Sequence, residues 1–117
     1  MMMVNCLMPE IGCEAAAAQE PLQELLRRVA DRDEAALASL YDMTVPMAFG
    51  LALRILRDRP AAEEAVLDVY TQVWREAGRY DASRGTVVTW LLTLTRSRSI
   101  DLRRAQVRSR AGSEDLS

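Results

Sequence analysis

The chemistry available to this chain lies in its charges. Six arginines (Arg96, Arg98, Arg103, Arg104, Arg108 and Arg110) fall within residues 96–110 against one acid, Asp101, so this segment carries +5. The whole chain carries −2, which leaves −7 on the remainder. Charge separated in this way points to two surfaces with different partners. On a helix advancing about 100° per residue, Arg96, Arg103 and Arg110 fall within about 40° of one another. Arg104 and Arg108 flank them, giving a broad cationic surface suited to a phosphate backbone. Cations are also favoured near a helix C-terminus, but six exceed what capping needs. All 15 basic residues are arginine. Arginine suits phosphate, and a GC-rich genome produces the same bias.

Other chemistries are poorly provided for. There is no histidine, which removes the commonest general base and metal ligand. Cys6 and Cys13 without histidine do not make a zinc site, and they are expected as free thiols in a reducing compartment. Glu63, Glu64 and Asp68 would lie on an open helix face rather than in a cleft, so a small helical enzyme is the weakest class of function. No cofactor or metal is expected. Met1 to Met8 is apolar but lacks a basic leader and is too short to span a bilayer. No other stretch approaches the roughly 20 apolar residues required. The expectation is a soluble, cytoplasmic protein with no direct membrane contact.

The elements that must position these charges are helices. With 117 residues the chain is one domain, or one domain with tails. Half of its residues are hydrophobic, 5% are aromatic, and glycine and proline are few. The fold class is therefore all-α: a compact bundle of three to four helices spanning residues 20–110. Residues 1–19 read as a poorly ordered tail. Pro21 suits the first turn of a helix, and Leu22, Leu25, Leu26 and Val29 then repeat at helical spacing to near Asp31. Asp33 can cap a second helix. Pro46 sits within that pattern and is expected to kink or break it, giving segments over 34–44 and 46–57. Asp58 with Pro60 opens a third helix over 60–77, which Gly78 ends. Residues 78–85 form a loop. The last helix starts near Arg84 or Thr86 and runs to about 109. Residues 111–117 read as the first part of a linker.

On the third helix, Ala62, Val66, Val69, Val73 and Ala77 share the core face, with Tyr70 beside them. The opposite face carries Glu64, Asp68, Thr71 and Arg75, with Glu63, Leu67 and Trp74 along one margin. An acidic face bearing a leucine and a tryptophan is unusual for one that meets only water, although isolated exposed apolar residues are normal.

These segments carry a family pattern. The run PAAEEAVLDVYTQVWRE resembles the polymerase-binding helix of sigma factors, with Glu64, Ala65, Val66, Leu67, Asp68, Val69, Tyr70 and then Val73, Trp74 in the family order. The run RYDASRGTVVTWLLTLTRSRSIDLRR resembles the loop and helix that read the minus-ten promoter element, where RG, TWL and ID-x-RR recur at this spacing. Upstream, DRDEAALASLYDMTVPMAFGLALRILRD is similar to the family's opening helices. The resemblance spans residues 22–110 and is to region 2 of the extracytoplasmic-function subfamily of the sigma-70 class. Three departures stand out. The family's usual glutamine is Leu67 here, which moves the polar contact onto Glu64 and Asp68. The asparagine often found in the DNA-reading helix is Ser97, which bears on base preference. The family's second domain, a helix-turn-helix for the minus-thirty-five element, lies outside these residues, and truncation in the linker is the simplest account.

The resemblance implies a binding domain and not an enzyme. Glu63, Glu64, Leu67, Asp68 and Thr71 are expected to dock on the clamp of the RNA polymerase largest subunit. Arg79, Tyr80, Ser83 and Arg84 in the loop are expected to hold an unstacked promoter base; as an ordinary loop they would instead tuck Tyr80 on the core and use Ser83 to cap the next helix. Thr89 and Trp90 match positions near the melted strand, although Trp90 also follows the core spacing of Val87, Leu91 and Leu94. Thr93, Arg96, Ser97, Arg98, Arg103 and Arg104 complete the DNA surface. The alternative reading is a sigma-like helical module whose main partner is an anti-sigma protein; direct binding to core polymerase separates the two.

Overall fold

Two aspartates set the frame. Asp33 takes an extended conformation and its side chain accepts from the Ala35 and Ala36 amides. The Arg28 guanidinium beside it, together with those amides, holds its carboxyl below the usual range. Asp58 does the same for the next helix, accepting from Ala61 N with Pro60 in the first turn. Each occupies donors that a helix start leaves unsatisfied. The computed structural model describes residues 11–116, with side chains described over 19–109. In that span four α-helices follow one another: α1 (Ile11–Ala30), α2 (Glu34–Leu56), α3 (Arg59–Glu76) and α4 (Val87–Leu116). Two short 3-10 turns, Ala77–Arg79 and Ala82–Arg84, join α3 to α4. The described residues contain no strand, and the fold is the all-α bundle expected.

The core is built from small and branched residues. Leu22, Leu26 and Val29 of α1 meet Ala36, Leu40, Ala48, Ala52 and Leu56 of α2. Val66, Val69 and Val73 of α3 and Val87 and Leu91 of α4 close the cluster. Burying each leucine or valine fully is worth about 1.5–3 kcal/mol. One polar device sits inside it. Thr44 Oγ1 donates to Leu40 O, so the Tyr70 hydroxyl is the donor in the bond between Tyr70 and Thr44. Burial pushes the Tyr70 phenol up to about 12, which keeps that donor proton in place.

Three element boundaries differ from the sequence expectation. α2 is a single helix through Pro46, not two segments. Its buried residues Ala36, Leu40, Thr44, Ala48, Ala52 and Leu56 form an unbroken i, i+4 line on both sides of the proline, and that packed seam holds the register where local propensity would end it. α1 is already helical at Ile11, ten residues ahead of Pro21, which lies inside the helix. Gln19 anchors this forward extension to Tyr80 and to Val87. α4 continues to Leu116, through residues expected to be linker. Residues 110–116 contain no proline to stop it, and extending a formed helix is far easier than nucleating one. Residues 11–19, read from the sequence as part of a poorly ordered tail, are helical here; residues 1–10 and the side chain of Cys13 lie outside the described residues, and with them the rest of that tail and the two thiols.

The α1–α2 and α2–α3 junctions use left-handed arginines, Arg32 at φ 69° and Arg57 at φ 53°. A non-glycine residue there costs about 1–2 kcal/mol. At Arg32 the side chain offsets this cost: its guanidinium donates to Trp74 O at 2.7 Å and lies 5.2 Å from the Trp74 ring centre. α2 is also long and apolar enough, by length and composition, to cross a membrane. The expectation that no such stretch exists is thus corrected; here α2 packs against α1, α3 and α4 within the bundle.

Candidate functional site

The segment between α3 and α4 folds on its own short-range bonds. Asp81 accepts from Ser83 N at 2.9 Å and from Ser83 Oγ at 2.7 Å. These bonds shape the second 3-10 turn and lower the Asp81 pKa. Gly85 follows at φ 147°, a backbone region that is essentially glycine's alone. Its carbonyl accepts from the Tyr80 hydroxyl at 2.7 Å. Thr86 then caps α4, accepting from Thr89 N at 3.1 Å. The cap is therefore Thr86, and Ser83 is exposed and turned onto Asp81.

The result is a cavity of about 310 Å³, at the small end of ligand-binding pockets. Tyr80 and Trp90 meet in an edge-to-face arrangement with ring centres 5.8 Å apart, and both residues are half-buried. Arg79, Tyr80, Arg84, Thr89, Trp90 and Thr93 all line it, so the structure brings six of the expected DNA-binding residues to one place. Tyr80 and Trp90 also pack on the core, so the core reading of each holds while both also line the cavity. Asp81, Gly85 and Thr86 complete the lining and were not singled out from the sequence. The Asp-x-Ser spacing and the glycine were the available signals for them. Aromatic walls, threonine hydroxyls and exposed guanidiniums at the rim suit a flat, polar-edged ring attached to an anion.

Along α4 beyond the cavity the arginines divide. Arg96 and Arg104 are exposed, in line with Thr89 and Thr93, and neither has an ion-pair partner among the described residues. Ser97 is exposed beside them. Arg103 donates to Ile55 O at 3.4 Å, reaching the C-terminal end of α2. Arg98 points elsewhere. Its Nε and Nη2 both reach Asp68 Oδ2 at 2.8 Å, so its charge is matched within the chain. Two residues expected on separate surfaces are thus bonded to each other. The side chain of Arg110 lies outside the described residues.

On α3, Glu63, Glu64, Leu67 and Thr71 are exposed as expected. Glu63 pairs with Arg59 at 3.5 Å. Leu67 is 63% exposed. It forms one wall of an apolar groove of about 600 Å³ between α2 and α3, with Thr71 and Trp74 on its own side and Leu37, Ala38 and Tyr41 opposite. The α2 wall, with Leu37 and Tyr41, was not singled out from the sequence. They are only half-buried, since the innermost line of α2 runs through Ala36 and Leu40. Among the described residues no group of three or more Cys, Asp or Glu converges on a metal-sized site.

Comparison with known proteins gives this arrangement a family. The Sigma-70 region 2 family matches residues 40–109, which run from the first third of α2 through the cavity and most of α4. An ECF RNA polymerase sigma factor SigK of Mycobacterium sp. (strain KMS) is 47% identical over 85 residues, covering 73% of this chain and 44% of that protein. One from Mycolicibacterium vanbaalenii is 47% identical over 96 residues, covering 78% of this chain and 49% of its own length. A third, from Mycobacterium bovis (strain BCG / Pasteur 1173P2), is 44% identical over 80 residues, covering 68% and 43%. The chain spans about half or less of the length of these relatives. A match across most of the helical bundle, carried at these identities, places it: the chain belongs to the sigma-70 region 2 family, in its extracytoplasmic-function branch.

Proposed function

We propose that this domain serves a sigma factor in transcription initiation by docking on core RNA polymerase and holding an unstacked base of the minus-ten element. The groove between α2 and α3 takes the clamp of the largest subunit. Arg96 and Arg104 run along the phosphate backbone, and the cavity accepts the base. The observation that carries this reading is the cavity itself, because it collects Arg79, Tyr80, Arg84, Thr89, Trp90 and Thr93 between two elements. Unstacking a base costs a few kcal/mol, and stacking on an aromatic side chain returns about 1–3 kcal/mol per base. Hydrogen bonds from the rim supply the remainder and the choice among bases. The domain acts by binding, and no bond is made or broken by it.

The test exchanges residues 79–84 for those of a related sigma factor and transcribes a promoter library with the full-length protein on polymerase. The preferred minus-ten base should change while the helical cores keep the fold. A chimera that is active with the parent's preference would move base choice to Thr93 and Ser97. The open apolar groove also suits an anti-sigma protein, and such an inhibitor would then compete with core polymerase for Leu67 and Trp74.

A further inference from the structure

Gln19 reaches the cavity from behind. Its Nε2 donates to the Tyr80 hydroxyl at 3.1 Å and its Oε1 accepts from the Val87 N–H at 3.1 Å. These partners stand 61 and 68 positions away in sequence. Val87 is the first residue of α4, where a backbone N–H has no partner within the helix. Tyr80 forms a cavity wall and passes its own proton to Gly85 O at 2.7 Å. One side chain of α1 therefore ties together both ends of the segment that builds the cavity.

The chemistry needs an amide. The Val87 N–H can only donate, so the Gln19 oxygen must face it and the nitrogen must face Tyr80. The Tyr80 oxygen then accepts from Gln19 and donates to Gly85, and the chain of bonds has one direction throughout. A carboxylate at position 19 could accept from Val87 but could not donate to Tyr80. The tyrosine would have to turn its proton away from Gly85 or lose its contact with α1.

We infer that Gln19 is a positioning residue for the base-binding cavity: by fixing the Tyr80 ring against Trp90 it sets which base the cavity accepts. The inference rests on the reading of the cavity given above. It gives α1 a part in promoter choice although α1 supplies none of the cavity lining.

The experiment uses the full-length protein on core polymerase and a promoter library varied through the minus-ten element, with core affinity and melting temperature measured in parallel. Gln19→Ala, Gln19→Glu and Tyr80→Phe should each flatten the preference at the same base position. The effect should be about two- to tenfold, the worth of one hydrogen bond. Core affinity should stay at the wild-type value for both Gln19 variants. The double variant Gln19→Ala/Tyr80→Phe should do no more than the larger single change, because both act through one ring. Wild-type preference in both Gln19 variants would overturn the inference, including the case where only the melting temperature falls, and so would additive effects in the double variant. Arg84→Ala separates the two levels. If it shifts preference while the Gln19 variants do not, the cavity reading stands and the role of Gln19 falls. If Arg84→Ala and Tyr80→Phe are also silent, both fall together.

Discussion

The bond between Arg98 and Asp68 changes how the charged residues are counted. A guanidinium that donates twice to one carboxylate oxygen is oriented by that contact, and its charge is already balanced before any phosphate approaches. Counterion release scales with phosphates newly neutralised, at about 0.7–0.9 log unit of salt slope per contact. Arg96→Ala and Arg104→Ala should therefore each flatten the salt dependence of promoter binding by up to that amount, measured on the polymerase complex. Arg98→Ala should leave the slope as it is. A slope reduced by Arg98→Ala would show that the arginine leaves Asp68 for phosphate in the complex. Both side chains of the pair are more than a third exposed, and such pairs contribute about 0–1 kcal/mol, so Arg98→Ala should still fold. The same bond makes Asp68→Arg an unsuitable probe of polymerase docking, because it would set two guanidiniums against each other. Glu64, exposed on the same face, has no such complication.

Among the elements, α2 shows where local rules yield to packing. Pro46 lies well inside a 23-residue helix, lacks the N–H that would bond Asp42 O, and crowds that carbonyl. In a helix interior proline is about 3 kcal/mol less favourable than alanine. Its ring is exposed, so little packing is lost by removing it. Pro46→Ala should stabilise the domain by about 1–3 kcal/mol and raise the thermal midpoint by about 4–8 °C per kcal/mol, read from the loss of helical circular dichroism. An unchanged midpoint would mean that the helix bears no cost at this residue. The start of α3 and most of its inner face, by contrast, were legible. Asp58 and Pro60 announce its start, and Val66, Val69 and Val73 announce its inner face, all within one stretch of sequence. The cavity was legible in part, because the family pattern marked Tyr80, Arg84 and Trp90 without showing that they converge. Gln19, the Asp68–Arg98 pair and the α2 wall of the groove were not legible. Each depends on residues 26 or more positions apart, and no local periodicity encodes which helix faces which.

At the scale of the whole molecule, the proposed docking and promoter-reading surfaces can be tested separately. The structure measures 64 × 35 × 24 Å. The apolar groove lies between α2 and α3, while the cavity and the free arginines belong to the α3–α4 connection and to α4. The two share no lining residue. They are joined through the body of α3 and through Asp68–Arg98. Leu67 is the residue that isolates the first surface. At 63% exposed it contributes little to the core, so Leu67→Arg should fold with a near wild-type melting temperature. In a docked complex the same change would bury a charge against the partner without a counterion. Side chains central to an interface cost about 2 kcal/mol or more when lost. Core polymerase affinity should therefore fall by about thirtyfold or more, measured by direct titration of the protein onto core enzyme. Arg104→Ala, placed on the other surface, should leave that affinity unchanged while weakening promoter binding. If Leu67→Arg binds core as tightly as wild type, the groove is not the dock. If Leu67→Arg binds weakly while Glu64→Arg binds normally, the contact runs through the apolar wall of Leu37, Tyr41 and Trp74, and the acidic margin serves only to orient the approach.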